Sequence, residues 1–458
     1  MASSKKPRPS ELSQRLKQFL DAHVRPNQTL LIGLSGGLDS CVLLHLLVAA
    51  RAQYSLHLKA VHVNHGISPH ARNWAQFCAD LCVANNVPFV TETVNVPRDS
   101  GLGIEAAARE ARYAALLQHK ADALVLAHHR DDQAETVLLQ LLRGSGVKGL
   151  AAMPAVADLN GLSVLRPLLD IPRKELEAYA QIHDLNWIED ESNLDLAYDR
   201  NFLRHHVLPE IEQRFPAAKT TLARSAGHFA EAANLLDEIA EEDAVHYIDD
   251  AGLKIAALRD LSPARGCNLL RYWLAHHLPE LPSTRRLREL YRQLLTSRSD
   301  AQLCVTVGSG AVHRYREHAV FVNSADRDEL ASLNNESKLC LVALRSPQPA
   351  ELHLPHGTLT FTCQKGRGLA AHKIPDHLEI RIRSGGEYFR PNANRPTRSL
   401  RNLLQEAAIP PWQRAMLPLV YAGDQLVAIP GIGVACDLQA APDEDGWMIE
   451  FKRDLPAA

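Results

Sequence analysis

The sequence contains eight cysteines but no C-x-x-C pair, and all of its apolar runs are short. Scattered cysteines argue against a metal site built from thiols and favour reduced, buried thiols in the cytoplasm. No apolar run approaches the roughly 20 residues that a membrane-spanning helix needs. The basic N-terminus also lacks the apolar stretch of a signal peptide. These absences predict a soluble, cytoplasmic protein.

Positive charge is not in excess either. The chain has 50 Lys and Arg against 53 Asp and Glu, which gives a formal net charge of −3. Any contact with a nucleic acid must therefore come from local clusters of basic residues. With 458 residues and 46% hydrophobic content, the chain is long enough for two or three domains.

Apolar runs alternate with helical periodicity in the N-terminal part of the chain. The predicted strands are Leu30–Leu34, Leu56–Val63, Val87–Val94 and Ala123–Ala127. Near-continuous apolar strands that alternate with helices are typical of a doubly wound parallel sheet, in which ligands bind beyond the carboxyl ends of the strands. We predict an α/β catalytic domain over residues 1–215, a mostly helical middle domain over 216–330 and a small α+β C-terminal domain over 340–458.

A glycine turn, Ser35-Gly-Gly-Leu-Asp-Ser40, lies between the first predicted strand and a predicted helix. Gly36 and Gly37 let backbone amides point the same way, and the helix adds its own free N–H groups, so an anion belongs there. The absence of Gly-Lys-[Ser/Thr] excludes a Walker A loop. Asp39 would repel a phosphate unless it holds a Mg²⁺ ion that bridges phosphate oxygens. The turn suits a metal-bound pyrophosphate, and an ordinary Ser-Gly-Gly turn is the alternative.

Ser35-Gly-Gly-Leu-Asp-Ser40 resembles the S-G-G-x-D-S signature of the PP-loop ATP pyrophosphatases, which split ATP between the α and β phosphates. Further motifs, in their order along the chain, resemble those of the tRNA(Ile)-lysidine synthase family. They are Val61-His-Val-Asn-His-Gly66, Glu105-Ala-Ala-Ala-Arg-Glu-Ala-Arg-Tyr113, Ala127-His-His-Arg-Asp-Asp-Gln-Ala-Glu-Thr136, Arg143-Gly-Ser-Gly-Val-Lys-Gly-Leu150 and Ile409-Pro-Pro-Trp-Gln-Arg414. The resemblance covers most of the chain.

The resemblance implies an ATP-dependent ligase. Such an enzyme joins free lysine to C2 of the wobble cytidine of a tRNA(Ile) with the anticodon CAU. ATP first activates the base as an adenylate and releases pyrophosphate, and lysine then displaces AMP. The implied cofactors are ATP and Mg²⁺, with Asp39 holding the metal through the pyrophosphate. The predicted ATP contacts are Ser35, Gly36, Gly37, Leu38, Asp39 and Ser40.

Charged residues on two predicted helices are the other candidates for catalysis. Asp132 and Glu135 are three residues apart and share a helix face, where they could bind lysine or remove its proton. A base is needed because a lysine ammonium, with an ordinary pKa of about 10.4, has no free electron pair at neutral pH. Arg109 and Arg112 could neutralise the α-phosphate or bind the lysine carboxylate, and surface ion pairs are the alternative for both.

Two further groups of residues are candidates for contact with the tRNA. Asn193, Arg200, Asn201 and Arg204 could read the edge of a flipped-out cytosine, or they could only tie a helix together. Near the C-terminus, arginines lie close to Tyr388 and Phe389, a composition that suits RNA backbone and unstacked bases. The arginines predicted to contact RNA there are Arg390, Arg395, Arg398 and Arg401, and a solvated basic face is the alternative.

Other functions fit parts of the sequence. His128, His129 and Asp132 could be the metal ligands of a hydrolase, but the glycine turn would then have no role. A PP-loop sulfurtransferase is disfavoured because the paired cysteines are missing. A tRNA-binding protein with a merely structural nucleotide pocket is disfavoured by the acidic residues of the predicted site. Formation of a homodimer stays open.

Overall fold

The structure is a computed structural model, and it describes residues 9–66, 68, 70–95, 104–298, 303–323, 340–343, 349–354, 357–375, 377–383, 385–391, 396–407, 409–410, 414 and 417–453. The chain divides into two compact units, Met1–Leu236 and Asp237–Ala458. The three-domain division drawn from the sequence stays a prediction. Across the described ranges, no helix is both long and apolar enough to cross a membrane.

The first unit contains six strands and ten helices among its described residues. The strands are β1 Thr29–Gly33, β2 His57–Asn64, β3 Phe89–Thr93, β4 Ala123–Val125, β5 Val156–Leu159 and β6 Leu162–Leu165. The helices are α1 Pro9–His23, α2 Leu38–Tyr54, α3 Ala71–Ala84, α4 Ile104–Leu117, α5 Arg130–Leu142, α6 Val147–Leu150, α7 Arg173–Ile182, α8 Asp199–Phe202, α9 Leu208–Arg214 and α10 Ala218–Tyr247, with the boundary between the units inside α10.

The strands form one sheet in the order β3-β2-β1-β4-β6-β5. All neighbours are parallel except the β5–β6 hairpin. One face of the sheet packs against α1, α2, α3 and α7. The other face packs against residues of α4 such as Leu116. This is the predicted doubly wound sheet, and it brings the carboxyl ends of β1, β2, β4 and β6 to one edge.

Between α8 and α9 the chain forms a π-helical turn, Leu203–Val207, without leaving the helical path. Such turns hold one more residue than an α-helical turn and recur at functional sites. Arg200 and Arg204 lie at this junction.

The second unit carries a helical region with a sheet and then a strand-rich region. Its strands are β7 Ile248–Asp249, β8 Gly252–Lys254, β9 Cys304–Val307, β10 Gly310–Tyr315, β11 His318–Asn323, β12 Cys340–Ala343, β13 Ala350–Leu354, β14 Gly357–Lys365, β15 Leu369–Ala370, β16 His377–Ile382, β17 Tyr388–Phe389, β18 Arg398–Ser399, β19 Pro418–Ala422, β20 Gln425–Ile429, β21 Gly433–Val434 and β22 Asp445–Arg453. Its helices are α11 Ala256–Asp260, α12 Pro263–Ala275, α13 Thr284–Thr296 and α14 Leu400–Glu406.

The middle region is only partly helical, because α11 to α13 share a core with the five-stranded sheet β7-β8-β11-β10-β9. Ser262 and Ser283 cap α12 and α13 by accepting hydrogen bonds from backbone amides in their first turns. In the C-terminal region, the sheets β12-β16-β19-β20-β21 and β13-β14-β22-β15 enclose one apolar core around Phe361 and Trp447. The α+β prediction for this region is confirmed.

Gly368 allows two segments of this C-terminal core to approach closely. Its φ angle is +84°, and a Cβ atom there would lie 2.1 Å from the carbonyl oxygen of Trp447. We expect Gly368→Ala to lower the melting temperature much more than Gly423→Ala, where φ is also positive but no atom lies within 4 Å. The control should lose only the roughly 1–2 kcal/mol of a left-handed alanine. Equal losses in thermal melts would contradict the close approach.

Candidate active site

The glycine turn after β1 is fixed by close contacts and by hydrogen bonds to its backbone. Gly36 adopts a φ of +85°, and a Cβ atom there would lie 3.0 Å from Cys78 Sγ and 3.1 Å from Ile188 Cδ1, so only glycine fits. The backbone amide of Ile188 donates to the carbonyl of Gly36 at 2.9 Å. The Ser40 hydroxyl accepts from the Gly36 amide at 3.1 Å and donates to the Gly37 carbonyl at 2.9 Å. The loop is therefore closely packed.

Helix α2 begins at Leu38 with its first turn uncapped. Gly37, the residue before it, is extended and offers no side chain, and no side-chain hydrogen bond caps the turn within the described part of the chain. The first N–H groups of a helix are free donors at the positive end of its dipole. The predicted anion site, with Ser35 to Ser40 around it, thus retains its backbone donors.

Asp39 lies in this first turn. Its Oδ1 atom is buried and has no hydrogen-bond partner among the described residues, while Oδ2 lies 3.5 Å from His129 Nε2. A buried carboxylate oxygen without a partner is costly unless a cation binds it. The geometry fits a Mg²⁺ ion held by one protein carboxylate and by phosphate oxygens. Among the residues that the structure describes, no group of three His, Cys, Asp or Glu side chains could hold a metal ion alone.

His129 is 1% exposed and lies between Asp39 and Asp132. It forms the N-cap of α5, where its ring accepts from the Asp132 amide and Asp132 Oδ2 accepts from the His129 amide at 3.0 Å. Its Nε2 lies 3.4 Å from Asp132 Oδ2. Burial lowers the pKa of His129, but the carboxylates of Asp132 and Asp39 raise it by more. His129 therefore holds the two acids together across the crevice.

Asp132 is an ionised carboxylate in a largely buried position. Burial raises its pKa, but the charges of His129, Arg200 and Arg204 lower it by more, to about 2. Arg204 donates to Asp132 Oδ1 at 3.0 Å. A carboxylate with so low a pKa is a weak base and a good partner for a cation.

Glu135 is enclosed by two arginines and is 1% exposed. Arg204 donates to it from Nε at 2.6 Å and from Nη2 at 2.9 Å, and Arg200 donates from Nε at 3.1 Å. Arg200 also donates to the Thr136 hydroxyl at 2.9 Å. These contacts leave Glu135 without an accessible oxygen in this conformation, so it serves to fix the arginines.

The residues predicted to read the base have several outcomes. Arg200 and Arg204 bind the carboxylates of the site, which is the helix-tying alternative for these two. The Asn201 side chain donates to the Asp195 carbonyl at 2.9 Å. The side chain of Asn193 lies outside the described residues. A direct contact of this group with RNA stays a prediction.

The two arginines of α4 differ in position. Arg112 lines the crevice, and its Nε atom is buried without a hydrogen-bond partner in the part of the chain that the structure describes. Burial lowers its pKa. Arg109 is exposed, with its guanidinium 5.5 Å from the Tyr113 ring centre. Only Arg112 of this pair lies where it can meet a ligand in the crevice.

A cleft of about 320 Å³ opens at the carboxyl ends of β1 and β2. It is lined by Ser35 and by residues after β2, with Trp74, Arg112 and Tyr198 opposite. Asn64 and His65 lie in this lining. The volume and the mixture of apolar and polar groups suit a nucleoside next to the anion site.

The sequence predicts His129 only as an alternative metal ligand, whereas in the structure it joins Asp39 to Asp132. A signal was present in the spacing. An acid three residues after a polar residue at the start of a helix is the capping-box pattern, and His129 and Asp132 have this spacing.

Family models match three parts of the chain. A PP-loop domain matches residues 9–211, a TilS substrate binding domain 253–320 and a TilS substrate C-terminal domain 378–451. A tRNA(Ile)-lysidine synthase of Nitrosomonas europaea is 43% identical over 98% of both chains. The chain belongs to the tRNA(Ile)-lysidine synthase family. Another member, from Coxiella burnetii, is 38% identical over 96% of both chains.

The matches to solved structures are weaker than the matches to these relatives. A U34-tRNA thiolase from Methanococcus maripaludis is 19% identical, covers 48% of this chain and 78% of its own length, and aligns with a TM-score of 0.41. A value this low carries no argument about function. The placement of this chain in the tRNA(Ile)-lysidine synthase family depends on the sequence matches over its whole length.

The basic residues that this family member carries near its C-terminus are largely at the surface. Arg390 and Arg401 are exposed, and Arg398 pairs with Glu406 on α14. Arg395 lies outside the described residues. Tyr388 is 67% exposed and Phe389 is buried. Contact of this surface with RNA stays a prediction.

Asp132 stabilises the folded protein only while it is ionised. Its pKa is lowered from 3.8 to about 2, so its contribution is complete above the ordinary value and is lost as the pH falls through about 2. The shift corresponds to about 2 kcal/mol, of which roughly half is lost by pH 3. We expect the unfolding free energy of Asp132→Asn, from urea titrations, to fall less between pH 5 and pH 3 than that of wild type.

The control for this measurement is Asp80→Asn on the exposed face of α3. It should keep the wild-type dependence on pH. A wild-type dependence in Asp132→Asn as well would show that the arginines and His129 do not hold this carboxylate ionised.

Proposed function

We propose that the chain is an ATP-dependent ligase that forms lysidine by joining free lysine to the wobble cytidine of tRNA(Ile) with a CAU anticodon. The carrying observation is the match to tRNA(Ile)-lysidine synthases over 98% of both chains, together with an uncapped glycine turn beside Asp39. The relatives support the reaction class, and the geometry of the crevice supports the roles that we propose for the residues.

In the first step, the phosphates bind an anion site formed by backbone amides and not by a lysine side chain. The cytidine O2 attacks the α-phosphorus of ATP, and the bond to the β-phosphate oxygen breaks as pyrophosphate leaves. Free amides of the first α2 turn face the departing diphosphate and stabilise its charge. Asp39 Oδ1 would hold Mg²⁺, which neutralises charge on the phosphate oxygens. Arg112 reaches the same crevice and can bind the α-phosphate.

In the second step the deprotonated amine of lysine attacks C2 of the adenylated base, AMP leaves with the former O2 atom, and the proton left on the attacking nitrogen passes to water. Asp132, whose side chain is 14% exposed against 1% for Glu135, binds an ammonium group of lysine. Its lowered pKa makes it a better binding partner than a base. Glu135 keeps Arg200 and Arg204 in place behind it.

The tRNA body would contact the second unit. Two family models in that unit are described as substrate domains. Its exposed arginines include Arg285, Arg286 and Arg288 on α13, and Arg390 and Arg401 further along the chain. Phosphate contacts from such residues would supply most of the affinity and make it sensitive to salt. The cytoplasmic location stays a proposal, and formation of a homodimer stays open.

Incorporation of labelled lysine into RNA tests this proposal directly. With ATP, Mg²⁺, labelled lysine and a CAU tRNA(Ile) transcript, label should enter the RNA, and replacing the wobble cytidine by uridine should abolish it. Incorporation into the uridine transcript would contradict the proposed specificity. No incorporation into any tRNA would favour a protein that only binds RNA.

Asp39→Asn tests the metal-bound pyrophosphate. The variant should release pyrophosphate at least about a hundredfold more slowly, since it loses a charged ligand in the transition state. Its affinity for tRNA, measured by filter binding, should stay within about twofold of wild type. Asp80→Asn should match wild type in both assays. Unchanged turnover in Asp39→Asn would remove this carboxylate from the mechanism.

A further inference from the structure

His62 binds the glycine turn from the end of the neighbouring strand. Its side chain is 4% exposed, and its Nδ1 atom lies 3.0 Å from the carbonyl oxygen of Leu34. Because a carbonyl oxygen can only accept, the proton is on Nδ1. Cys78 Sγ lies 3.6 Å from the same nitrogen and 3.9 Å from the same carbonyl. The Leu34 carbonyl is therefore held in one orientation.

This hydrogen bond also determines where the next amide points. In a trans peptide, the C=O of one residue and the N–H of the next point in opposite directions. The Leu34 carbonyl points at His62, so the Ser35 N–H points away from His62. Leu34 itself donates to the Val61 carbonyl at 2.9 Å, which fixes the preceding peptide. Within the described part of the chain, no hydrogen bond is formed by the Ser35 amide.

The same arrangement occurs one peptide further along. The Gly36 carbonyl accepts from the Ile188 amide at 2.9 Å, so the Gly37 N–H points away from Ile188. The Gly37 amide is 3.3 Å from the Ser35 hydroxyl, a long contact that a phosphate oxygen can replace. The Leu34 and Gly36 carbonyls are thus held by hydrogen bonds from outside the turn, and the Ser35 and Gly37 amides consequently point into it. A side chain supplies only one of these contacts, and that side chain is His62.

We propose that His62 is a positioning residue for the nucleotide: by holding the Leu34 carbonyl, it directs the Ser35 amide at the diphosphate group of ATP. The proposal rests on the proposed function, which places ATP at this loop. Burial lowers the pKa of His62, so the ring is neutral and adds no charge of its own to the site. Its effect is exerted through the orientation of the backbone.

Comparison of phosphate-bearing and phosphate-free ligands tests this role. His62→Ala should bind pyrophosphate and MgATP about tenfold to a hundredfold more weakly in calorimetry, the loss expected for one charge-assisted hydrogen bond. Its affinity for adenosine, measured by NMR titration, should stay within about twofold of wild type. In turnover, the KM for ATP should rise while the KM for lysine stays unchanged.

Conservative variants separate positioning from packing. The side-chain nitrogen of asparagine can occupy the place of Nδ1, so His62→Asn should retain pyrophosphate binding. The longer His62→Gln places its nitrogen elsewhere and should lose it. This pair gives the answer even if His62→Ala fails to fold. His57→Ala, at the exposed opposite end of β2, is the matched control and should bind all three ligands like wild type.

Two results would overturn the proposal. One is wild-type pyrophosphate affinity in both His62→Ala and His62→Gln. The other is an equal loss of adenosine and ATP binding, which would indicate a general distortion of the cleft. A wild-type protein that binds no ATP would instead refute the proposed function, so the two failures are distinguishable.

Discussion

The burial of Glu135 between Arg200 and Arg204 is the interaction on which the site depends. A carboxylate that is 1% exposed would be very costly without partners, and its ion pairs cross from α5 to the helical segment after residue 198. The same arginines reach Asp132, and Asp132 is bound to His129. This arrangement fixes the start of α5 beside the glycine turn.

The apolar packing of the sheet brings together the segments that carry this network. The β1 and β4 strands are neighbours in its centre, so the turn after β1 and the helix start after β4 must meet at one edge. Asp39 and Asp132 would repel each other across this edge. His129 lies between them, with its Nε2 atom 3.5 Å from Asp39 Oδ2 and 3.4 Å from Asp132 Oδ2, and both carboxylates raise its pKa. The contacts of His129 with Asp39 and Asp132 therefore join the glycine turn to the start of α5, which the sheet topology places at the same edge.

Much of this could be predicted from the sequence, because β1 to β4 are apolar runs and Ser35 to Ser40 form a distinctive turn. The β5–β6 hairpin was not predicted, since its strands are short and half-exposed. In the middle region, Leu303–Val307 and Ala319–Val322 predict two short strands, which the structure has as β9 and β11, but the other three strands of that sheet were not predicted. The apolar run Leu419–Ile429 predicts a single strand, but it forms two strands, β19 and β20, around a turn at Gly423. The pairing of Glu135 with Arg204 could not be predicted, because it joins residues 69 positions apart.

The π-helical turn at Leu203–Val207 gives this region an unusual sensitivity to length. A deletion of one residue there would relax the turn to ordinary helix and rotate all that follows by about 100° relative to Arg200. The chain after the turn would then approach α10 from a different side. The number of residues between positions 199 and 214, and not only their identity, is thus a constraint on the fold of this enzyme.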